Sequence, residues 1–325
     1  MQSGGERSDR AMSNGLSASA ARTSPLAMRR LGRSGIDVTI LSLGGAGLGD
    51  RYGAVSEEVA AQTINRALAL GINYIDNSPS YGPFERRLGS ALAALGGLPP
   101  GVHLCTKVGS HPERHGDYSA AATRWTVENS LRLLGLNAIA VVQVHGVYHV
   151  DMDTVLAPGG TVDELERLRD EGKLQSIGLA VYGRDFHRRA IASGRFDFIL
   201  THDDYTLVRQ TDAPLLEEAA AAGVGVLLGR ALLTGLLAGD DPLANEQLAA
   251  QPDAAAAHDW WQWAREHEVP LPALAIQFAM RHPGVSSVVV GASTPQEVEE
   301  SVAAATFAIP DEIWAEVEER VRRRG

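Results

Sequence analysis

INYIDNSPSYG, residues 72–82, decides how this chain is read: an apolar run closes on a carboxylate, Asp76, and a phenol, Tyr81, follows five residues later. The pattern returns twice. LCTKVG (104–109) ends its apolar run at Lys107, and VVQVHG (141–146) ends at His145. Side chains at the carboxyl ends of neighbouring strands in a parallel α/β barrel point into one mouth, so such a fold would bring the four together. That set suits proton transfer at a carbonyl or carbinol oxygen, because a phenol with a reference pKa of about 10 needs charged neighbours to work near neutrality. Lys107 would lower it, Asp76 would keep Lys107 protonated and in place, and His145 would orient the substrate oxygen. Taken singly, Asp76 with Lys107 also reads as a structural ion pair and His145 as a satisfied core histidine.

Outward from these segments, strand and helix patterns alternate with little left over. A hairpin (28–38) leads to a strand at ILSLGG (40–45), and a helix from Ser56 carries Val59, Ile64, Ala67 and Leu68 on one face. Further strands fall at 72–76, 102–108, 138–145, 174–181, 196–202, 224–229 and 286–291, with helices at 84–95, 120–134, 162–171, 185–193 and 213–222 between them. Eight strands separated by helices imply an α/β fold, a closed (β/α)8 TIM barrel with an N-terminal β-hairpin. Helices at 256–268 and 272–282, and a last one at 310–323, read as C-terminal additions to the eightfold ring. No linker divides residues 28–325, which are expected to form one domain. Residues 1–27, rich in Ser, Ala, Gly and Arg and without an apolar stretch, are expected to be a disordered tail.

Composition sets further bounds. Of 325 residues, 45% are hydrophobic and 21% charged, which is ordinary for a globular protein with a sizeable core. The formal charge of −11 argues against nucleic acid or an anionic membrane surface as partner, since both require a basic field. No apolar run is long enough to span a bilayer. The single cysteine, Cys105, allows no intrachain disulfide, fits a cytoplasmic setting and reads as a buried structural thiol. His111 and His115 imitate metal-ligand spacing without a supporting Cys or carboxylate cluster, so no metal is expected; His149 is equally isolated. Tyr52, Trp125, Tyr148 and Tyr182 fall near the expected mouth, where aromatic faces suit sugar C–H surfaces or simply pack. Trp260, Trp261 and Trp263 read as anchors of an added helix.

GGAGLGD (44–50) invites a dinucleotide reading, but its spacing is not G-x-G-x-x-G and residues 50–55 run on before any helix starts. VVVGASTPQEVEES (288–301) is the better candidate. It passes from a buried strand into a helix with Pro295 in the first turn and Ser293 or Thr294 as N-cap, and such an N-terminus suits a phosphate. The same features also make simply a well-capped helix. GRALLTG (229–235) follows the seventh strand, where barrels often bind phosphate.

This ordered series, from the hairpin through GINYIDNSPSYG, ERRLGSAL, CTKVG, VQVH, KLQSIGLAVYG, GRALLTG and VVVGASTPQEVEES, resembles the aldo-keto reductase family over nearly the whole chain from Met28. The resemblance implies NAD or NADP extended across the carboxyl face of the barrel. Gly229, Arg230, Leu232, Thr234, Gly235, Gly291, Ala292, Ser293, Glu297, Glu300 and Ser301 would hold it, with Asp76, Tyr81, Lys107 and His145 as the catalytic tetrad and Tyr81 as proton donor or acceptor. Within the family the chain looks most like the bacterial D-threo-aldose 1-dehydrogenase branch, which includes L-fucose dehydrogenases and pyridoxal 4-dehydrogenases. GLAVY (178–182) lacks the Ser-Asn pair that many members place on the nicotinamide amide, and HDD (202–204) departs from the branch.

The expected activity is therefore NAD(P)-dependent oxidation of an aldose of the L-fucose, L-galactose or D-arabinose type at C1. Tyr52, Asn77, Trp125, Tyr148 and His202, with Asp203 and Asp204, would meet the sugar. NAD is expected over NADP, because Glu297 would repel a 2′-phosphate and accept from ribose hydroxyls, although Arg230 offers that phosphate a cation. The rival enzymatic readings are an aldehyde or ketone reductase and a pyridoxal 4-dehydrogenase. A nucleotide-sensing subunit with little turnover is the rival outside enzymes, and the intact tetrad speaks against it.

Overall fold

A computed structural model describes residues 26–146, 151–202 and 205–324. Hairpin strands β1 (Met28–Arg30) and β2 (Asp37–Thr39) pair antiparallel and lie outside the main sheet. Eight parallel strands then close into a barrel: β3 (Leu41–Gly44), β4 (Tyr74–Asp76), β5 (His103–Val108), β6 (Ile139–His145), β7 (Leu174–Ala180), β8 (Phe198–His202), β9 (Gly225–Gly229) and β10 (Ser287–Gly291). They lie in chain order, and β10 pairs with β3 to complete the ring.

Two-residue alternation divides the strand side chains between inside and outside. Tyr74, Cys105, Val141, Ala180, Phe198, Leu200, Leu227 and Val289 form an inner cluster, and Leu31, Ile36 and Val38 of the hairpin join it as a plug at the amino end. The plug sits close because Gly32, at φ +52°, has no side chain: a Cβ there would lie 2.1 Å from the Gly225 nitrogen. A larger cluster fills the space between strands and helices.

The helices are α1 (Glu57–Ala69), α2 (Phe84–Ala94), α3 (Ala120–Leu134), α4 (Met152–Leu156), α5 (Thr161–Asp170), α6 (Arg184–Ser193), α7 (Ala213–Ala221), α8 (Glu246–Ala249), α9 (Ala254–Glu266), α10 (Leu271–Arg281), α11 (Pro295–Thr306) and α12 (Asp311–Arg324). Local chemistry sets their ends. Ser56, Ser119 and Thr294 accept an amide hydrogen bond three residues on, at the starts of α1, α3 and α11, while left-handed Gly135 and Gly194 stop α3 and α6.

One sequence expectation needs correction. The two helices between the last strands are not both additions: α10 packs on β10 and α11, and its Ala273, Ile276 and Ala279 belong to the main core, so it is a ring helix. Outside the eightfold ring lie α9 and α12, with the short α4 and α8. Trp260 and Trp263 of α9 are buried in a second cluster with Trp314 of α12, and Trp261 is partly buried against it. The short helices α4 and α8 had no counterpart in the sequence patterns. At the amino edge, Leu26 packs on the main core and the Ala27 carbonyl accepts from Ile40 N–H; residues 1–25, part of the expected tail, lie outside the described residues. No helix among the described residues is long and apolar enough to cross a membrane.

Candidate active site

Asp76, Lys107 and His145 stand at or next to the carboxyl ends of β4, β5 and β6, and Tyr81 lies on the loop after β4. The four thus come from three adjacent strands. Lys107 Nζ donates to both oxygens of Asp76 at 2.7 and 2.8 Å and to the Asn77 carbonyl at 2.9 Å. Tyr81 donates its hydroxyl to Asp76 at 3.2 Å, its ring lies 4.8 Å from Lys107 Nζ, and it stands edge-on to His145 with ring centroids 6.4 Å apart.

A second polar layer supports the first from below. Two residues back on each strand, on the same face, are Tyr74, Cys105 and Gln143. Gln143 Nε2 donates to Tyr74 Oη, Cys105 Sγ and Asp76 at 3.1, 3.0 and 3.2 Å. Burial pushes the Cys105 thiol up to about 12, so it is an inert packing group.

The charge pattern of the cluster departs from expectation in one respect. Burial of the phenol and the Asp76 carboxylate hold Tyr81 above the ordinary tyrosine range; Lys107 pulls it down and is outweighed. Burial also works against the Lys107 ammonium, yet the bonded Asp76 carboxylate raises it above the lysine range. The resting site therefore holds a protonated phenol against a locked ion pair, rather than a phenol drawn toward neutrality. Burial, and after it the Lys107 charge, keeps His145 well below the imidazole range, so it is neutral.

Neighbouring loops fix Tyr81. The glycines of GGAGLGD serve close approach: a Cβ on Gly45 would enter the Phe84 ring, and one on Gly49 would lie 2.0 Å from the Tyr81 carbonyl oxygen. Arg87 of α2, buried, donates to the Leu48 carbonyl at 2.7 Å and to Asp50 at 2.9 Å, clamping that loop from behind. Glu85 accepts from Asn77 and Thr106, at 2.8 and 2.9 Å. These groups were not anticipated from the sequence.

The two stretches proposed for a nucleotide lie side by side, since β9 pairs with β10. After β9, Arg230, Leu233 and Thr234 take positive φ (59°, 47° and 54°), with Gly235 at 100°. Arg230 folds over this turn and donates to Thr234 Oγ1 at 2.7 Å. After β10, Thr294 is the N-cap of α11, Glu297 accepts from Ser293 N–H at 2.7 Å, and Ser301 bonds back to the Glu297 carbonyl. Open space lies where a Gly291 side chain would be, Ala292 is buried, and Glu300 is exposed and accepts from Gln296. A turn of positive-φ residues, a nearby guanidinium and a helix N-terminus together make a set that fits a dinucleotide's phosphates. Among the described residues, no three His, Cys, Asp or Glu side chains gather as a metal would require.

The residues expected to meet substrate are scattered. Asn77 is fully buried with its amide given to Glu85, so it offers the cluster its backbone carbonyl rather than a side chain to a sugar. Trp125 lies within α3, packed by the His111 ring and the Arg114 guanidinium. Tyr52 is exposed on the loop after β3. His202 ends β8 and packs against Tyr182 at 4.8 Å, beside a cavity of about 210 Å³ that His187, Thr201 and Asp212 also line. Burial lowers His202 to about 4. Tyr148, His149, Asp203 and Asp204 lie outside the described residues.

Known proteins match this architecture. Residues 40–322 match the sequence profile of the aldo/keto reductase family. The chain is 31% identical over 304 residues to L-galactose dehydrogenase of Arabidopsis thaliana, covering 90% of this chain and 93% of that one. It is 29% identical over 321 residues to D-threo-aldose 1-dehydrogenase of a Pseudomonas species, covering 88% and 95%. Its fold resembles a glycerol dehydrogenase from Gluconobacter oxydans, with a TM-score of 0.73 at 23% identity over 91% of this chain and 95% of that one.

Proposed function

Because the chain belongs to the aldo/keto reductase family and is an oxidoreductase, we propose that it oxidises a free aldose of the threo type at C1, yielding the lactone. The observation that carries this reading is the buried Asp76–Lys107–Tyr81 cluster with His145 beside it, at the carboxyl end of three adjacent strands. Both named sugar dehydrogenases, matched over nearly their full length, support the substrate class.

A nicotinamide nucleotide, when bound along the turns after β9 and β10, supplies the hydride acceptor. The chain's own residues handle the proton. Tyr81 takes the anomeric hydroxyl proton of the sugar, and the fixed Lys107 ammonium stabilises the phenolate this requires. Asp76 keeps the ammonium in place through two hydrogen bonds. Neutral His145 holds the sugar oxygen by a hydrogen bond. Since Tyr81 rests protonated, the same geometry favours proton donation in the reverse, reductive direction and makes oxidation an alkaline activity. NAD is the preferred nucleotide: Glu297, fixed by Ser293 N–H, offers a carboxylate rather than a cation at the start of α11, which would repel a 2′-phosphate held there, and Arg230 is already turned onto Thr234.

A spectrophotometric comparison of L-fucose, L-galactose and D-arabinose with NAD, against simple aromatic aldehydes with NADH or NADPH, tests the proposal. Lactone formation with the higher kcat/KM for a sugar is expected. Higher kcat/KM for the aldehydes, with no sugar giving lactone, would reject the dehydrogenase direction. Tighter binding of NADP than of NAD would reject the nucleotide preference.

A further inference from the structure

The loop that leaves β5 turns back under β6. Gly109 makes the turn at φ +88°, and only a glycine fits, since a Cβ would lie 2.2 Å from the Tyr118 ring and 2.9 Å from the His145 carbonyl oxygen. Tyr118 fills that space and donates its hydroxyl to the same carbonyl at 2.7 Å. The backbone of His145 is thereby pinned from one side. The next residue, Ser110, is 5% exposed and sets its Oγ 2.6 Å from His145 Nδ1.

That contact has a direction. Ser110 Oγ has no other hydrogen-bond partner among the described residues. If Nδ1 carried the imidazole proton, the serine would only accept, and its own buried hydroxyl hydrogen would point at nothing. If the serine donates, its hydrogen and the Nδ1 lone pair are both satisfied, and the single proton of the neutral ring must sit on Nε2. Nε2 has no partner among the described residues and is left for a ligand. The Tyr81 ring stands edge-on to the imidazole with ring centroids 6.4 Å apart, so the phenol and the imidazole belong to one neighbourhood of the site.

We propose that Ser110 is a positioning residue: it donates to Nδ1 of His145, holds the ring in its Nε2–H tautomer, and so gives the site a hydrogen-bond donor aimed at the oxygen of the reacting C–O group. The last clause rests on the function proposed above; the tautomer does not. With Nε2 unprotonated, His145 would accept instead, competing with Tyr81 for the anomeric proton and repelling the developing carbonyl oxygen. Ser110 therefore assigns the two proton-handling roles, Tyr81 transferring and His145 donating a fixed hydrogen bond. Burial and the neighbouring Lys107 charge keep the ring from gaining a second proton that would make the distinction moot.

The test uses the full chain labelled with 15N-histidine. Comparison of the spectrum with that of His145→Gln identifies the His145 signals, and the ring nitrogens then report directly which one bears the proton. In the wild type, a proton-bearing Nε2 and a bare Nδ1 are expected without any ligand. In Ser110→Ala, the two forms should interconvert, and kcat for sugar oxidation should fall roughly ten- to a hundredfold, by analogy with losing a group that orients a metal-bound histidine. Nucleotide affinity should be unchanged, and Ser110→Thr, which keeps the hydroxyl, should restore both tautomer and rate. A proton on Nδ1 in the wild type overturns the proposal outright, even if the alanine variant fails to fold. An alanine variant with wild-type tautomer and rate also overturns it. If no C–O substrate turns over, the proposed function fails while the spectrum still judges the tautomer.

Discussion

Replacing Tyr81 by Phe separates chemistry from architecture more cleanly than any other change at this site. The substitution deletes one hydroxyl and one hydrogen bond, the 3.2 Å contact to Asp76. Asp76 keeps Lys107 at 2.7 and 2.8 Å and Gln143 at 3.2 Å, so no buried charge is stranded. The ring remains, and with it the contact to Lys107. The stability cost should therefore be at most about 1 kcal/mol, the net worth of one ordinary hydrogen bond, or a shift in Tm of no more than about 2–4 °C. The kinetic cost is set by a different quantity. A positioned proton-transfer group contributes about 10²–10⁴ in rate, equivalent to about 2.7–5.4 kcal/mol of barrier. Steady-state oxidation of the best sugar, nucleotide titration and thermal melting on one preparation measure all three. We expect kcat down at least about a hundredfold with the melt and nucleotide affinity nearly unchanged. A loss of less than about tenfold on an intact fold would transfer the proton to another group and refute the assignment.

Other perturbations give contrasting outcomes. Lys107→Met strands Asp76 without its cation, so melting should show a loss of about 3–5 kcal/mol, and the alkaline limb of the pH–rate profile should move upward because the one charge lowering the phenol is gone; an unmoved limb removes Lys107 from that role. With Tyr81 raised above its ordinary range, log(kcat/KM) for oxidation should climb by about one per pH unit through the neutral and mildly alkaline range, and a plateau near pH 8 would contradict it. Burial depresses His202, His145 and His187, so the folded state binds fewer protons than the unfolded one below about pH 6.5; stability is full above that pH and declines toward pH 4. Urea midpoints that hold level from pH 7.5 to 5 would refute the linkage. Gly49→Ala should reduce kcat well beyond its effect on Tm, since the added methyl would displace the Tyr81 carbonyl; a variant with full kcat would show that the Tyr81 loop adjusts freely.

Asp76, Lys107 and His145 were legible because each interrupts an apolar strand pattern at its end, and the strand–helix alternation placed those ends on one face. Tyr74, Cys105 and Gln143 were equally legible by period: each stands two residues before a site residue and so shares its face, a signal available in YID, CTK and QVH. Ser110, Glu85 and Arg87 were not, because their meaning lies in partners 35, 21 and 37 residues away in the chain. Asn77 misled for a related reason: a polar residue beside a member of the buried cluster reads as a ligand contact, whereas Glu85 on the next helix draws it inward. The glycines of residues 44–50 were rightly not read as a dinucleotide turn; what approaches them is the chain itself, Phe84 at Gly45, Ser293 at Gly47 and Tyr81 at Gly49. Whether α9 or α10 belonged to the ring could not be told from two amphipathic patterns of similar length, since the difference lies in what each packs upon.

The contact between Gly49 and the Tyr81 carbonyl, with Gly82 pressed back on the Gly49 carbonyl, makes the loops after β3 and β4 a single inherited module. Barrels of this kind diversify by exchanging loops on a constant frame, and here two of them can be exchanged only as a set. A recombination point within α1 would join a first loop shaped for one parent to a second shaped for another, and the tyrosine would inherit the mismatch. A crossover in α3, beyond both loops, would keep that pair whole, whereas it would part Ser110 and Tyr118 from His145 on β6, so the two sides of such a chimera must also match at that contact.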